Sequence, residues 1–238
     1  MDSNKITVVC FLWKRKGSHE LPSQKITNYD FSWVEKLYNG VKKNYSKSFN
    51  FICVTDQNYQ STPKITILPL WDDFAELGGC YSRLKIFSKD IESLFGKRFI
   101  TIDLDCVITG SLDHIFDRTD DFVIHKYSTH ERDQRYNGSL ILMNAGARPQ
   151  VWNEFGLHAP TVIKSNYNTV IGTDQAWIRL VLGPNEKTFT ETDGCYDIKH
   201  SPEVKHYLPE NASMIFFSGP RDPNTEKAKH PWIEQYWK

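Results

Sequence analysis

The order of apolar and polar runs predicts an α/β fold, and three observations carry that prediction. Strand-like and helix-like stretches alternate along the first half of the chain, the strand-like runs are apolar without interruption, and one of them ends in two aspartates one residue apart. Uninterrupted runs of Val, Ile and Phe mark strands buried on both faces, as in sheets covered by helices. Residues 6–13 predict the first strand, and a polar segment with Gly17 and Pro22 reads as a loop over the sheet end. Residues 31–45 place Val34, Leu37, Tyr38 and Val41 at helical spacing and feed a second strand at 49–55. Strand, helix, strand in that order predicts a parallel, right-handed crossover. A short third strand follows at 65–68. After Gly78-Gly79, residues 81–95 have helical character and lead to the acid-tipped strand. Further strands are expected at 121–125, 139–143 and 213–217, and a helix at 174–182. No repeat, low-complexity tract or linker divides the chain, so residues 1–238 are expected to form one domain.

Composition narrows the function. A chain of 238 residues, 39% hydrophobic and 13% aromatic, has the material for a substantial core. Lys plus Arg equals Asp plus Glu at 29 each, so no net field draws it to nucleic acid or an acidic membrane. Eleven Tyr and seven Trp exceed what such a core needs, and aromatic faces beside a groove suit sugars or bases as well as packing. The five cysteines are odd in number and lack metal-ligand spacing; Cys10, Cys53 and Cys106 lie in or beside strands and read as buried thiols of a reducing compartment. Residues 1–5 show no secretory signal and no stretch of 18 apolar residues exists, so a cytoplasmic protein without a transmembrane segment is expected.

The chemistry centres on Ile100-Thr101-Ile102-Asp103-Leu104-Asp105. Alternation along an extended strand sets Asp103 and Asp105 on one side. Paired carboxylates repel unless a cation lies between them, and Mn²⁺ or Mg²⁺ prefers such oxygen donors. Seventeen aspartates make about one Asp-x-Asp expected by chance. Its position gives this one weight, because open α/β sheets bind ligands beyond the carboxyl ends of their strands.

Several segments, taken in order, resemble a nucleotide-sugar glycosyltransferase of the GT-A fold, most closely the family-eight group of glycogenin-like and bacterial lipopolysaccharide galactosyltransferases. They are YSRLKIF at 81–87, ITIDLDCVITGSLDHIF at 100–116, YNGSLILMNAG at 136–146, GTDQAW at 172–177, FFSGP at 216–220 and His230-Pro231-Trp232. The resemblance covers roughly residues 81–232. It implies a single Rossmann-like domain with a mixed, mostly parallel central sheet flanked by helices.

It also implies roles. Asp103 and Asp105 would hold Mn²⁺ or Mg²⁺ against the diphosphate of a donor, most simply a UDP-sugar, with the metal serving as Lewis acid and template. Arg83, and less directly Lys85, would meet the diphosphate or the donor sugar; the alternative for Arg83 is an exposed helix arginine. Asn137 would face the donor sugar with Gly138 allowing close approach, unless Tyr-Asn-Gly is simply a turn. Asp174 and Gln175 match the pair reaching the reacting sugar and acceptor, although Thr173 and Asp174 are also good helix caps. Asp56, at the tip of the second strand, would select uracil through a base N–H, or else be a turn residue.

Two departures from the family stand out. The histidine expected before the carboxyl-terminal glycine is missing from Phe216-Phe217-Ser218-Gly219, leaving His200, His206, His230 or water to complete a metal shell. The first strand is followed by Trp13-Lys14-Arg15-Lys16 where the family has an acid. The reading is therefore a metal-dependent hexosyltransferase with retention, acting on a glycan, lipid-linked sugar or other hydroxyl acceptor. A sugar nucleotidyltransferase is disfavoured because only Gly17 lies where a glycine-rich phosphate loop would be. A glycosidase using the two acids and a non-catalytic sugar-binding module remain as alternatives.

Overall fold

The computed structural model describes residues 5–14, 29–77, 79–126, 136–167 and 174–238. Arg15, Lys16, Gly17, Pro22, Gly78, Gly172 and Thr173 lie outside them. The strands are β1 (Ile6–Leu12), β2 (Phe49–Thr55), β3 (Thr66–Pro69), β4 (Arg98–Ile102), β5 (Val107–Ile108), β6 (Phe122–Lys126), β7 (Tyr136–Asn144), β8 (Thr188–Phe189), β9 (Cys195–Asp197) and β10 (Met214–Phe216). Seven of them form one sheet in the order β3-β2-β1-β4-β7-β6-β8, and β5-β10-β9 form a smaller one. In the large sheet β7 runs antiparallel to both β4 and β6, while the other neighbouring pairs are parallel. The mixed, mostly parallel sheet expected from the sequence is present.

The uninterrupted apolar runs are explained by cover on both faces. Along β1, Val8, Cys10 and Leu12 enter one core with Trp33, Leu37 and Val41 of the helix Phe31–Asn44. Val9 enters the other, with Leu84, Phe87 and Phe95. That first helix starts where the Asp30 carboxylate accepts from Ser32 N at 3.0 Å, satisfying one of the open N–H groups of the first turn. The second helical expectation needs amendment. Residues 81–87 form a 3₁₀ helix, Ser88 breaks it in extended geometry, and only Glu92–Phe95 is α-helical. Three residues per turn align Tyr81 with Leu84 and Phe87, and Arg83 with Ile86, all buried.

The strands that sequence reading did not anticipate, β5, β8 and β9, are two or three residues long and too short to show periodicity. The helix Ala159–Tyr167 was also unanticipated. Among the described residues no helix is long and apolar enough to cross a membrane.

Candidate active site

The acid pair sits where the two sheets meet. β4 ends at Ile102, Asp103 N donates to Ser139 O at 3.0 Å, and Cys106 N donates to Asp103 O at 3.2 Å, which closes a turn. The chain then enters β5, which pairs antiparallel with β10. Asp103 and Asp105 are thus brought together by a turn, and the strand alternation expected from the sequence does not extend through them. Both are half-buried and line one cavity of about 100 Å³ with Trp13, Tyr29, Cys80 and Arg83. Asp105 Oδ2 accepts from the Tyr29 hydroxyl at 3.2 Å. Burial pushes the Asp105 carboxyl well above the usual carboxylate range, and the neighbouring charge of Asp103 adds to the rise. The pair is therefore short of positive charge.

Arg83 supplies part of it. The side chain is buried, not exposed, and its guanidinium bridges two acids contributed by distant segments. Nη1 pairs with Asp103 Oδ1, while Nε and Nη2 stand 2.8 and 2.7 Å from Asp174 Oδ2. Burial opposes its charge, but the two carboxylates outweigh burial and hold Arg83 firmly protonated. Asp174 opens the helix Asp174–Leu182 and is 2% exposed. Burial raises its carboxyl, and Arg83 draws it back down. Glycine leaves room for this fork: a Cβ on Gly138 would lie 2.8 Å from Asp174 Oδ2 and 2.9 Å from Arg83 Nη2, so a larger residue would require a shift. Gly138 N donates to Gln175 Oε1 at 3.4 Å, and Asn137 Oδ1 accepts from Ser139 N at 2.9 Å. Asn137 Nδ2 is buried with no hydrogen-bond partner among the described residues, a donor left for something else to meet.

Five of the expected residues, Arg83, Asp103, Asp174, Gln175 and Asn137 with its neighbour Gly138, thus form one connected cluster, and Asp105 joins them through the shared cavity. Two do not join. Lys85 Nζ lies 2.5 Å from Asp73 Oδ2 and over the Trp71 ring. Asp56 takes Lys14 N on both carboxylate oxygens, at 3.1 and 3.3 Å, and lines a different cavity. Sequence reading overlooked Tyr29, which no motif marks, and Asp197 on β9. Asp197 is 1% exposed, accepts from Ser218 Oγ at 2.5 Å, and adds its charge to the field on Asp105.

No protein-family model matches the chain, and no curated protein matches it in sequence. Solved structures do. The galactosyltransferase LgtC, in complex with donor and acceptor sugar analogues, superposes with a TM-score of 0.60 at 9% identity over 97% of this chain and 93% of its own. The glycosyltransferase GlyE of Streptococcus pneumoniae TIGR4 gives 0.60 at 12% identity over 97% of this chain and 60% of its own. An active-site mutant of LgtC gives 0.58 at 10% identity, covering 92% and 89%. The chain has the GT-A glycosyltransferase fold. Identity this low establishes the architecture alone, so the site must be argued on its own geometry.

Within this GT-A fold the donor set for a cation is partial. Two half-buried carboxylates that repel each other suit a hard divalent ion. Among the described residues no group of three or more His, Cys, Asp or Glu is placed to hold a metal. None of His200, His206 and His230 lines the acid cavity, and His230 lies 3.8 Å from Glu226. The site thus fits an ion that keeps water in its shell, as Mg²⁺ and Mn²⁺ tolerate.

Proposed function

We propose that this protein is a glycosyltransferase that moves a hexose from a nucleotide sugar, UDP-linked, to a hydroxyl of a glycan, a lipid-linked sugar or another acceptor. The observation that carries the reading is the buried Arg83 fork between Asp103 and Asp174, set beside Asp105 at the carboxyl end of a central strand. Its cationic face and the paired acids supply the mixed charge that a diphosphate with a divalent ion requires.

Asp103 and Asp105 would hold Mn²⁺ or Mg²⁺, whose charge would offset that growing on the leaving diphosphate. Asp174, committed to Arg83, positions the guanidinium and is not free as a nucleophile. Asn137 Nδ2, unpartnered, and the Gln175 side chain beside Gly138 are suited to hold sugar hydroxyls. Retention is what the resemblance to family eight implies, and with no free nucleophile among these groups we propose that it proceeds by front-face displacement. The C1–O bond to the diphosphate breaks, the acceptor oxygen bonds C1 on the same face, and the acceptor proton passes to the leaving diphosphate. Cys10, Cys53, Cys106 and Cys195 are buried thiols, which suits the reducing, cytoplasmic location we propose.

The test is nucleotide release from a panel of sugar nucleotides with Mn²⁺, Mg²⁺ or EDTA, using wild type, Asp103→Asn and Asp105→Asn. Release from one donor, abolished by chelation and by either substitution, is expected; the product anomer is then read by NMR. Release that survives both substitutions would reject the acid pair as the donor site. An inverted anomer would reject front-face displacement.

A further inference from the structure

A second cavity lies along the same edge of the large sheet. It has a volume of about 540 Å³ and opens between the carboxyl ends of β2 and β3, lined by Asp56, Gln57, Asn58, Tyr59, Gln60 and Asp72 among others. None of its lining residues lines the cavity of Asp103 and Asp105. Asn58 and Gln60 are exposed and Gln57 half-buried, and none of their carboxamides hydrogen-bonds to another described residue. Tyr59 is braced by Phe31, with ring centroids 4.7 Å apart and planes 31° apart, so one aromatic face is held in place at the wall.

This combination has a chemical preference. A carboxamide donates and accepts within one planar group, which matches neighbouring sugar hydroxyls. An aromatic face matches the apolar C–H face of a pyranose. Among the described residues the charged lining is Asp56 and Asp72, with no Lys, Arg or His, and these walls disfavour a phosphate, uronate or other anion. The volume is within the range that encloses small ligands.

Placement adds the rest. β2 and β3 neighbour β1 and β4, whose ends carry the acid cavity, and Asp56 is fastened to the end of β1 through Lys14 N. Two strand spacings separate the cavities, about 10 Å, a distance a short oligosaccharide spans. We propose that this basin is a subsite for a neutral oligosaccharide, holding the acceptor glycan beyond its reacting end. The acceptor role rests on the transferase reading above; the binding itself does not.

The experiment is saturation-transfer NMR with neutral di- and trisaccharides of glucose and galactose, on wild type, on Asp103→Asn, and on a Gln57→Ala/Asn58→Ala/Gln60→Ala variant. The three substituted residues lie at the surface or partly so, and a matching thermal unfolding curve checks that the variant folds. Wild type and Asp103→Asn are expected to bind at least one saccharide, with affinity about 10- to 100-fold weaker in the triple variant. Donor hydrolysis by the triple variant is expected to equal wild type, while transfer to the saccharide falls. Silence across the panel, binding undiminished in the triple variant, or displacement of the saccharide by a nucleotide sugar would each overturn the proposal. Saccharide binding in a chain that neither hydrolyses nor, by calorimetry, binds any nucleotide-sugar donor or divalent metal would reject the transferase reading and leave the basin standing.

Discussion

Replacing Arg83 by Met removes the charge of the guanidinium while keeping much of its apolar stem. At neutral pH the substitution leaves the Asp174 carboxylate 2% exposed, with Asp103 nearby and no cation between them. Breaking a buried pair from one side costs about 3–5 kcal/mol, because the remaining charge stays desolvated. For a chain of this size that lowers the Tm by roughly 6–20 °C. The pH dependence has a definite sign. Burial already raises Asp174, Arg83 offsets part of the rise, and removing Arg83 raises it further. A carboxyl whose folded pKa exceeds its unfolded value destabilises the fold as pH climbs above the unfolded value, because the unfolded chain releases its proton first. The gap between wild type and Arg83→Met should therefore be wide at pH 7.5 and narrower near pH 5. Adding Asp174→Asn removes the stranded charge and should recover much of the loss, giving a large coupling in a double-mutant cycle. Thermal and urea unfolding of the four proteins at both pH values measures this. A gap independent of pH, or a double variant no more stable than Arg83→Met, would refute the placement of Arg83 between the two acids.

The close approach at Gly138 gives a second test. Gly138→Ala sets a methyl 2.8 and 2.9 Å from the two ends of the Arg83–Asp174 pair, so the fork or the strand must yield. We expect a loss of about 1–3 kcal/mol in stability from overpacking and roughly 100-fold in kcat for donor turnover from misplacement of the guanidinium. Wild-type values for both would show that the fork moves freely. Lys85→Ala should leave donor turnover unchanged, because Lys85 is bound to Asp73 and Trp71. Its partly exposed ion pair should contribute no more than about 1 kcal/mol. A large fall in kcat would place Lys85 back in the site.

The sequence by itself determined the α/β class, most of the strands of the large sheet and the first helix. These rest on local patterns: apolar runs for β1, β2 and β4, and the spacing of Val34, Leu37 and Val41 for the helix. It also marked the acids and most of the residues that cluster with them, through an ordered set of short motifs read along the chain. What each residue does was decided by tertiary structure. Arg83 and Lys85 are equivalent as a local pattern, but two positions apart on a three-residue turn they point to different surroundings, and only Arg83 enters the core. Its partner Asp174 lies 91 residues away, a separation no local periodicity reports. Asp103 and Asp105 meet through a turn fixed by Ser139 of the neighbouring strand. The approach of Tyr29 and the position of Asp197 depend likewise on chain segments far off in sequence. Local patterns record which face of an element is apolar; which charges end up paired on burial is set only when distant segments pack together.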